Sequence, residues 1–204
     1  VYSYTWNPGN ITTSSVVVSP STTTNYTCTI KDANGCSITN IVNILVTPPL
    51  AVSVSSQTIC IGNSAVFTPT VTSPGNGGTV TDTWLPSGTS SSTYSVNGTS
   101  SGTTNYTLIA SDGCSVPAST VFTVFVSPNP TANIVADSLV GYAPLQVDFN
   151  DLGSGGTSFN WNFGNGNSSS IQNPTTQVYS IGGSYQATYT VTNAFGCSAY
   201  DTLN

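Results

Sequence analysis

No histidine, arginine, glutamate or methionine occurs in the 204 residues, and the single cationic side chain, Lys31, faces seven aspartates for a net charge of −6. General acid–base chemistry near neutral pH draws on His or a tuned carboxylate, and a nucleophilic Ser needs a base beside it. The residue inventory therefore argues against an enzyme. Nothing is present to neutralise phosphates, which excludes nucleic acid and anionic membrane surfaces as partners. No apolar run approaches the roughly 20 residues of a membrane-spanning helix, and helical periodicity is absent. Charged residues are only 4% of the chain, yet aromatics reach 10% and Val, Ile and Thr abound, so the chain is expected to fold. Ser and Thr supply roughly a third of the residues, well above ordinary usage. Hydroxyls and amides, in place of charges, solvate this surface.

One hairpin pattern is present three times. Asn25-Tyr26-Thr27-Cys28-Thr29-Ile30 leads through Asp32-Ala33-Asn34 into Gly35-Cys36; Asn105-Tyr106-Thr107-Leu108-Ile109 leads into Asp112-Gly113-Cys114; Tyr185 to Val191 leads into Asn193-Ala194-Phe195-Gly196-Cys197. A recurrence of about 80 residues marks an array of like modules. Each hairpin follows a strand bearing a tryptophan, at Trp6, Trp84 and Trp161. Short alternating strands between turn signals such as Gly75-Asn76-Gly77-Gly78 and Asn97-Gly98 are the signature of β-sandwiches. The expected fold class is all-β, with tandem sandwich modules forming a rod.

The boundaries read as 1–47, 48–127 and 128–204. In the first module, Tyr4 and Trp6 share one strand face, Ser15 to Val18 is the next strand, and Ile38 to Val46 is the return strand. Val1 to Trp6 already reads as an interior strand, so the sequence is expected to be a piece of a longer chain, with the first module's N-terminal strands outside it. The second module reads as complete and closes with Phe122, Val124 and Val126 alternating. In the third, which opens at Pro128-Asn129-Pro130, the last strand reads as truncated.

The third module carries Phe159-Asn160-Trp161-Asn162-Phe163-Gly164-Asn165-Gly166, then Gly183-Ser184-Tyr185 and Tyr189-Thr190-Val191. This run resembles the PKD (polycystic kidney disease) domain, whose hallmark is a Trp-Asp-Phe-Gly-Asp-Gly strand and turn followed by a Gly-x-Tyr-x-Val strand. Asn162 and Asn165 stand where that family usually has Asp. The first two modules, with Thr-Thr-Asn-Tyr-Thr at Thr23 to Thr27 and again at Thr103 to Thr107, resemble Ig-like repeats. Such repeats accompany PKD domains in large surface adhesins and filament proteins of gliding-type bacteria that use type IX secretion. The resemblance implies an extracellular, cell-surface or secreted segment working by spacing, self-assembly and weak multivalent adhesion. Copies of itself or neighbouring modules, and surface glycans, are the implied partners. The alternative is a non-catalytic polysaccharide-binding accessory region of a secreted hydrolase.

Five cysteines without His or a Cys-x-x-Cys pair point to disulfides in an oxidising compartment. Cys60, before the Phe67 strand, and Cys114, at the start of the last strand, are expected to bridge within one sandwich, a closure worth about 3–4 kcal/mol. Cys36 occupies the position of Cys114, and its natural partner would precede the first module. For Cys28 three readings stand: a buried thiol, a bond to Cys36, or a bond to a preceding segment. Cys197 has no candidate within its module, leaving a free or intermolecular thiol or a partner outside the sequence. No cofactor is expected apart from calcium, for which Asp137, Asp148 and Asp151 are the candidate carboxylates. Catalytic residues are expected to be none. Asp137-Ser138-Leu139 and Asp201-Thr202-Leu203 are similar to the O-glycosylation signal of the same bacterial group, which makes Ser138 and Thr202 glycan candidates. The three tryptophans read as core residues and Tyr26, Tyr106 and Tyr185 as tyrosine-corner residues. Ile41, Leu45, Val121 and Phe125 are expected to point away from the core.

Overall fold

The computed structural model describes residues 1–204, and every regular element in it is a β-strand. β1 (Ser3–Asn7), β2 (Thr24–Lys31) and β3 (Ser37–Ile44) form an antiparallel sheet in the order β1-β2-β3. Its register sets Trp6 opposite Cys28 and Tyr4 opposite Ile30. Cys28 is the buried residue of this sheet, while Ile38, Ile41 and Val42 on the edge strand β3 are exposed. Ser15 to Val18, predicted as a strand, joins no ladder. The Trp6 indole N–H donates to the Thr13 carbonyl and the Thr13 hydroxyl to the Ser15 carbonyl, which holds this stretch as a loop.

The next nine strands are β4 (Leu50–Ser53), β5 (Gln57–Cys60), β6 (Ser64–Phe67), β7 (Thr70–Pro74), β8 (Thr81–Leu85), β9 (Thr89–Ser90), β10 (Tyr94–Asn97), β11 (Gly102–Ser111) and β12 (Ala118–Ser127). β4 pairs with β7 and β6 with β10, and a five-stranded sheet runs β5-β12-β11-β8-β9. Within it β5 lies parallel to the end of β12, from Gln57 opposite Val124 to Cys60 opposite Ser127.

The remaining strands are β13 (Ile134–Ala136), β14 (Leu145–Val147), β15 (Phe149–Asp151), β16 (Ser158–Asn162), β17 (Ser168–Ser169), β18 (Gln177–Tyr179), β19 (Ala187–Thr192) and β20 (Ser198–Leu203). The pairings β13-β15 and β14-β18 repeat β4-β7 and β6-β10, and the four-stranded sheet runs β17-β16-β19-β20.

The chain divides into two compact units. The first comprises Val1–Ser53, Thr70–Thr83 and Ile109–Ser119, and the second Val54–Pro69, Trp84–Leu108 and Thr120–Asn204. In the first, Cys28, Leu50 and Ala110 are buried. In the second, alternation on β12 buries Phe122, Val124 and Val126 as expected. Phe122 lies 4.7 Å from the Phe67 ring and meets Trp84 edge-on at 5.8 Å. A further cluster gathers Ile134, Val147, Phe149, Trp161, Phe163 and Tyr189, with Trp161 stacked on Tyr189 at 4.1 Å. Rings at these separations add to the burial of their large apolar area. Ile41, Leu45 and Val121 are exposed as expected, whereas Phe125 is half-buried, because the Phe195 ring packs on it at 4.9 Å. No helix is long and apolar enough to cross a membrane.

Candidate functional site

The three repeated turns are built by one Asx side chain each. The Asp32 Oδ1 accepts the N–H groups of Asn34 at 2.9 Å and Cys36 at 2.8 Å. The Asn193 Oδ1 accepts those of Phe195 at 2.9 Å and Cys197 at 3.0 Å. Asp112 closes a tighter version, its Oδ1 taking the N–H groups of Cys114 and Ser115 and the Ser115 hydroxyl, and its Oδ2 the N–H of Asn76. The backbone N–H groups of Ser115, Asn76 and Cys114 hold the Asp112 carboxyl well below the usual carboxylate range. Such side-chain bonds mimic a backbone turn, which is why Asx residues recur here.

Asn193 does something its two counterparts do not. Its Nδ2 donates to the Ser127 Oγ at 3.0 Å and the Pro128 carbonyl at 2.9 Å, fastening the third turn to the end of β12. Asp32 and Asp112, as carboxylates, have no hydrogen to donate. At the same place the Ile61 N–H donates to the Ser127 carbonyl, the Asn129 Nδ2 to the Ile61 carbonyl, and Phe195 covers Phe125.

Cys60 and Cys197 form a disulfide at this junction, across a sequence separation of 137. The expected Cys60–Cys114 bridge is therefore wrong. Cys60 stands in register with Ser127, at the C-terminal end of β12, whereas Cys114 precedes the N-terminal end of that ten-residue strand. Ten residues of strand cover ~33 Å, and a disulfide tolerates under about 7 Å between Cα atoms. Cys197, which had no candidate within its own module, finds its partner in the preceding one. Cys28 is a buried thiol, and Cys36 and Cys114 are exposed thiols on their turns.

The calcium candidates do not converge. Asp151 is buried, and its Oδ1 accepts the N–H groups of Asn133 and Gly153 while its Oδ2 accepts the Tyr189 hydroxyl at 2.8 Å and the Gln172 amide. Burial pushes its pKa up, but the donors from Gly153, Tyr189, Asn133 and Gln172 outweigh it and leave the carboxyl below its ordinary value. Burial, and then the bond to Asp151, raises the Tyr189 hydroxyl. With both oxygens engaged by four donors, Asp151 closes a core network and is not a free ligand. Asp137 and Asp148 are exposed, joined by the Asp148 N–H on the Asp137 Oδ1. No three acidic, His or Cys side chains gather as a metal site. Asn162 and Asn165, at the family's usual Asp positions, accept the N–H groups of Gly164 and Asn167 and so cap their own turn. Ser138 is half-buried with its hydroxyl on the Val140 carbonyl, and Thr202 is exposed on β20 opposite Thr188.

The indoles line no open cleft. Trp84 and Trp161 are fully buried and Trp6 is half-buried. Each donates its N–H to a carbonyl of the following loop: Trp6 to Thr13, Trp84 to Ser91 and Trp161 to Ile171, at 3.0, 2.7 and 3.0 Å. Tyr185 makes the bond of a tyrosine corner, its hydroxyl donating to the Ile181 carbonyl at 2.8 Å. Tyr106 instead stacks on Phe122. The built feature is the junction around Cys60, Ser127, Asn193 and Cys197. Asn193 and Phe195 were not singled out from sequence as junction residues. The usable signal was an amide standing where two other copies carry a carboxylate.

No curated protein matches the chain. Among solved structures, it is similar to the PKD1 domain of Vibrio anguillarum Epp, at 28% identity over 37% of this chain and 88% of that one, with a TM-score of 0.32. The fibronectin(III)-like modules of Clostridium thermocellum CbhA match at 16% identity over 74% of this chain and 90% of theirs, with a TM-score of 0.43. Immunoglobulin domains 1–4 of Sidekick-1 match at 12% identity over 98% of this chain and 65% of that one, with a TM-score of 0.41. The third repeat, from the end of β12 through its own Trp strand, turn and last strand, is the part with family-level similarity: residues 127–204 match the family model described as PKD domain.

Proposed function

We propose that this segment is a structural part of an extracellular surface adhesin or filament, in which tandem β-sandwich modules act as spacers and a disulfide between two of them carries tension, without turnover. The observation that carries this reading is the Cys60–Cys197 disulfide, which ties one repeat to the next across 137 positions of sequence. Under a pull on the two chain ends, force entering at Cys60 leaves at Cys197 through the sulfur bridge, and the residues between are off the load path. At ~3.3–3.6 Å per residue, about 450 Å of chain stays locked while the bridge is intact. An oxidising, extracellular setting agrees with such a bond. The residue inventory supports the same reading: the aspartates best engaged by hydrogen bonds, Asp112 and Asp151, cap a turn and close a core, and there is no His for acid–base work.

Adhesion on this reading is weak at each module and gains strength from repetition along the array. The test is single-molecule extension of the 204-residue chain held by its ends, with and without a thiol reductant. Release of roughly 450 Å of additional length only after reduction supports the mechanical role. Full extension without reductant contradicts it.

A further inference from the structure

Four Asn-Gly steps occur in the chain, at Asn34, Asn76, Asn97 and Asn165. In such a step the backbone nitrogen of the glycine lies within reach of the asparagine side-chain carbon, and no Cβ on the glycine hinders its approach. The fold ties this nitrogen down in three of the four. The Gly35 N–H donates to the Asp32 carbonyl at 3.2 Å, the Gly77 N–H to the Pro74 carbonyl at 3.0 Å and the Gly98 N–H to the Asn63 carbonyl at 2.8 Å. The Gly166 N–H has no acceptor. Gly166 is exposed, and nothing lies within 4 Å of where a Cβ would stand.

The asparagine at that step is also prepared for attack. The Asn167 N–H donates to the Asn165 Oδ1 at 3.0 Å, and a donor there stabilises the charge this oxygen takes on when its carbon becomes tetrahedral. Asn76 receives the same kind of bond from the Gly78 N–H, but its glycine nitrogen is engaged. At Asn34 the turn is capped by the Asp32 carboxylate instead. Asn165-Gly166 alone joins a free nucleophile to a polarised amide.

We propose that Asn165-Gly166 is a self-modifying site, at which the chain converts its own amide to a carboxylate without an enzyme. Hydroxide removes the Gly166 amide proton, and the nitrogen attacks Asn165 Cγ. The new C–N bond closes a five-membered succinimide; the Cγ–Nδ2 bond breaks, and ammonia leaves with a proton taken from water, which restores the hydroxide. Water then opens the ring. Addition at Cγ gives aspartate, and addition at the main-chain carbonyl gives isoaspartate, with the backbone rerouted through the side chain. Either product removes the Nδ2 donor that holds the Val178 carbonyl at 3.3 Å, which unties the turn after β16 from β18 and adds one negative charge. This site goes beyond the mechanical role and does not depend on it.

The test keeps the 204-residue chain in neutral and in mildly alkaline buffer, with samples taken over weeks, digested with pepsin at low pH and read by mass spectrometry. The expected result is a peptide bearing residue 165 that shows one amide-to-carboxylate exchange and separates into two isomers. It forms about tenfold or more faster than the corresponding products at Asn34, Asn76 and Asn97. The rate rises with pH, since the glycine nitrogen must lose its proton. In guanidinium chloride the lead of Asn165 disappears, because the same dipeptide stands at all four positions and only the fold separates them. Asn34, Asn76 or Asn97 keeping pace with Asn165 in the folded chain, an intact Asn165 after the denatured chain has converted, or the same lead in guanidinium chloride each overturn the assignment.

Discussion

Asn193, Asp112 and Asp32 occupy one position in three turns, and the identity of a single side-chain atom separates their roles. All three accept turn N–H groups through Oδ1, but only Asn193 also donates, to Ser127 and Pro128. Asn193→Asp keeps the cap and replaces two donors with an acceptor facing two acceptors. It is expected to lower stability by about 1–3 kcal/mol in urea denaturation; an unchanged midpoint would show that the junction bonds contribute nothing. Asp151 is the second decisive residue. Because its folded pKa is depressed, the stability it contributes is present above the unfolded value of about 4 and is lost as pH falls below it. Asp151→Asn is therefore expected to cost about 1–3 kcal/mol at pH 7 and to flatten the loss of stability on acidification, measured by urea midpoints between pH 7 and 2. Sequence showed these turns as an Asx residue shortly ahead of Gly-Cys. It did not show the four donors on Asp151, which come from Asn133, Gly153, Gln172 and Tyr189, residues brought together only by folding.

At the level of single elements, the tryptophan strands were the most legible feature, because alternation alone marked Trp84 and Trp161 as inward-facing. Their bonds to Ser91 and Ile171 come from loops with no pattern of their own. Ser15 to Val18 was misread for a related reason: three valines have strand propensity, but the polar bonds around Thr13 hold the chain elsewhere. Turns give a sharper test. Gly164 and Gly196 both have positive φ, 74° and 83°, yet a Cβ on Gly164 would lie 2.6 Å from the Gln186 carbonyl oxygen whereas one on Gly196 meets nothing. Gly196→Ala is expected to cost about 1 kcal/mol, the strain of the left-handed backbone alone. Gly164→Ala is expected to cost about 2–4 kcal/mol, because the backbone must also move. Equal losses in thermal or urea unfolding would contradict the contact.

For the whole molecule, the recurring hairpins about 80 residues apart were legible, but the cross-link was not. Placing Cys60 and Cys114 in one sandwich ignored the parallel register of β5 on β12, which carries Cys60 to the far end of that strand. Scarcity of charge has its own consequence. β3 is an edge strand with Ile38 and Ile41 exposed and no lysine to guard it, so association at high concentration is expected. Ile41→Lys should reduce it, as read by light scattering; an unmodified chain that stays monomeric when concentrated would refute edge pairing. Cys60–Cys197 closes two repeats into one covalent structure, and peptide mapping under non-reducing conditions measures that directly. The native chain is alkylated, digested with pepsin at low pH to suppress exchange, and analysed by mass spectrometry. The predicted result is a linked pair of peptides bearing Cys60 and Cys197, with Cys36 and Cys114 alkylated in the native state and Cys28 only after unfolding; a peptide pair joining Cys60 to Cys114 would contradict it.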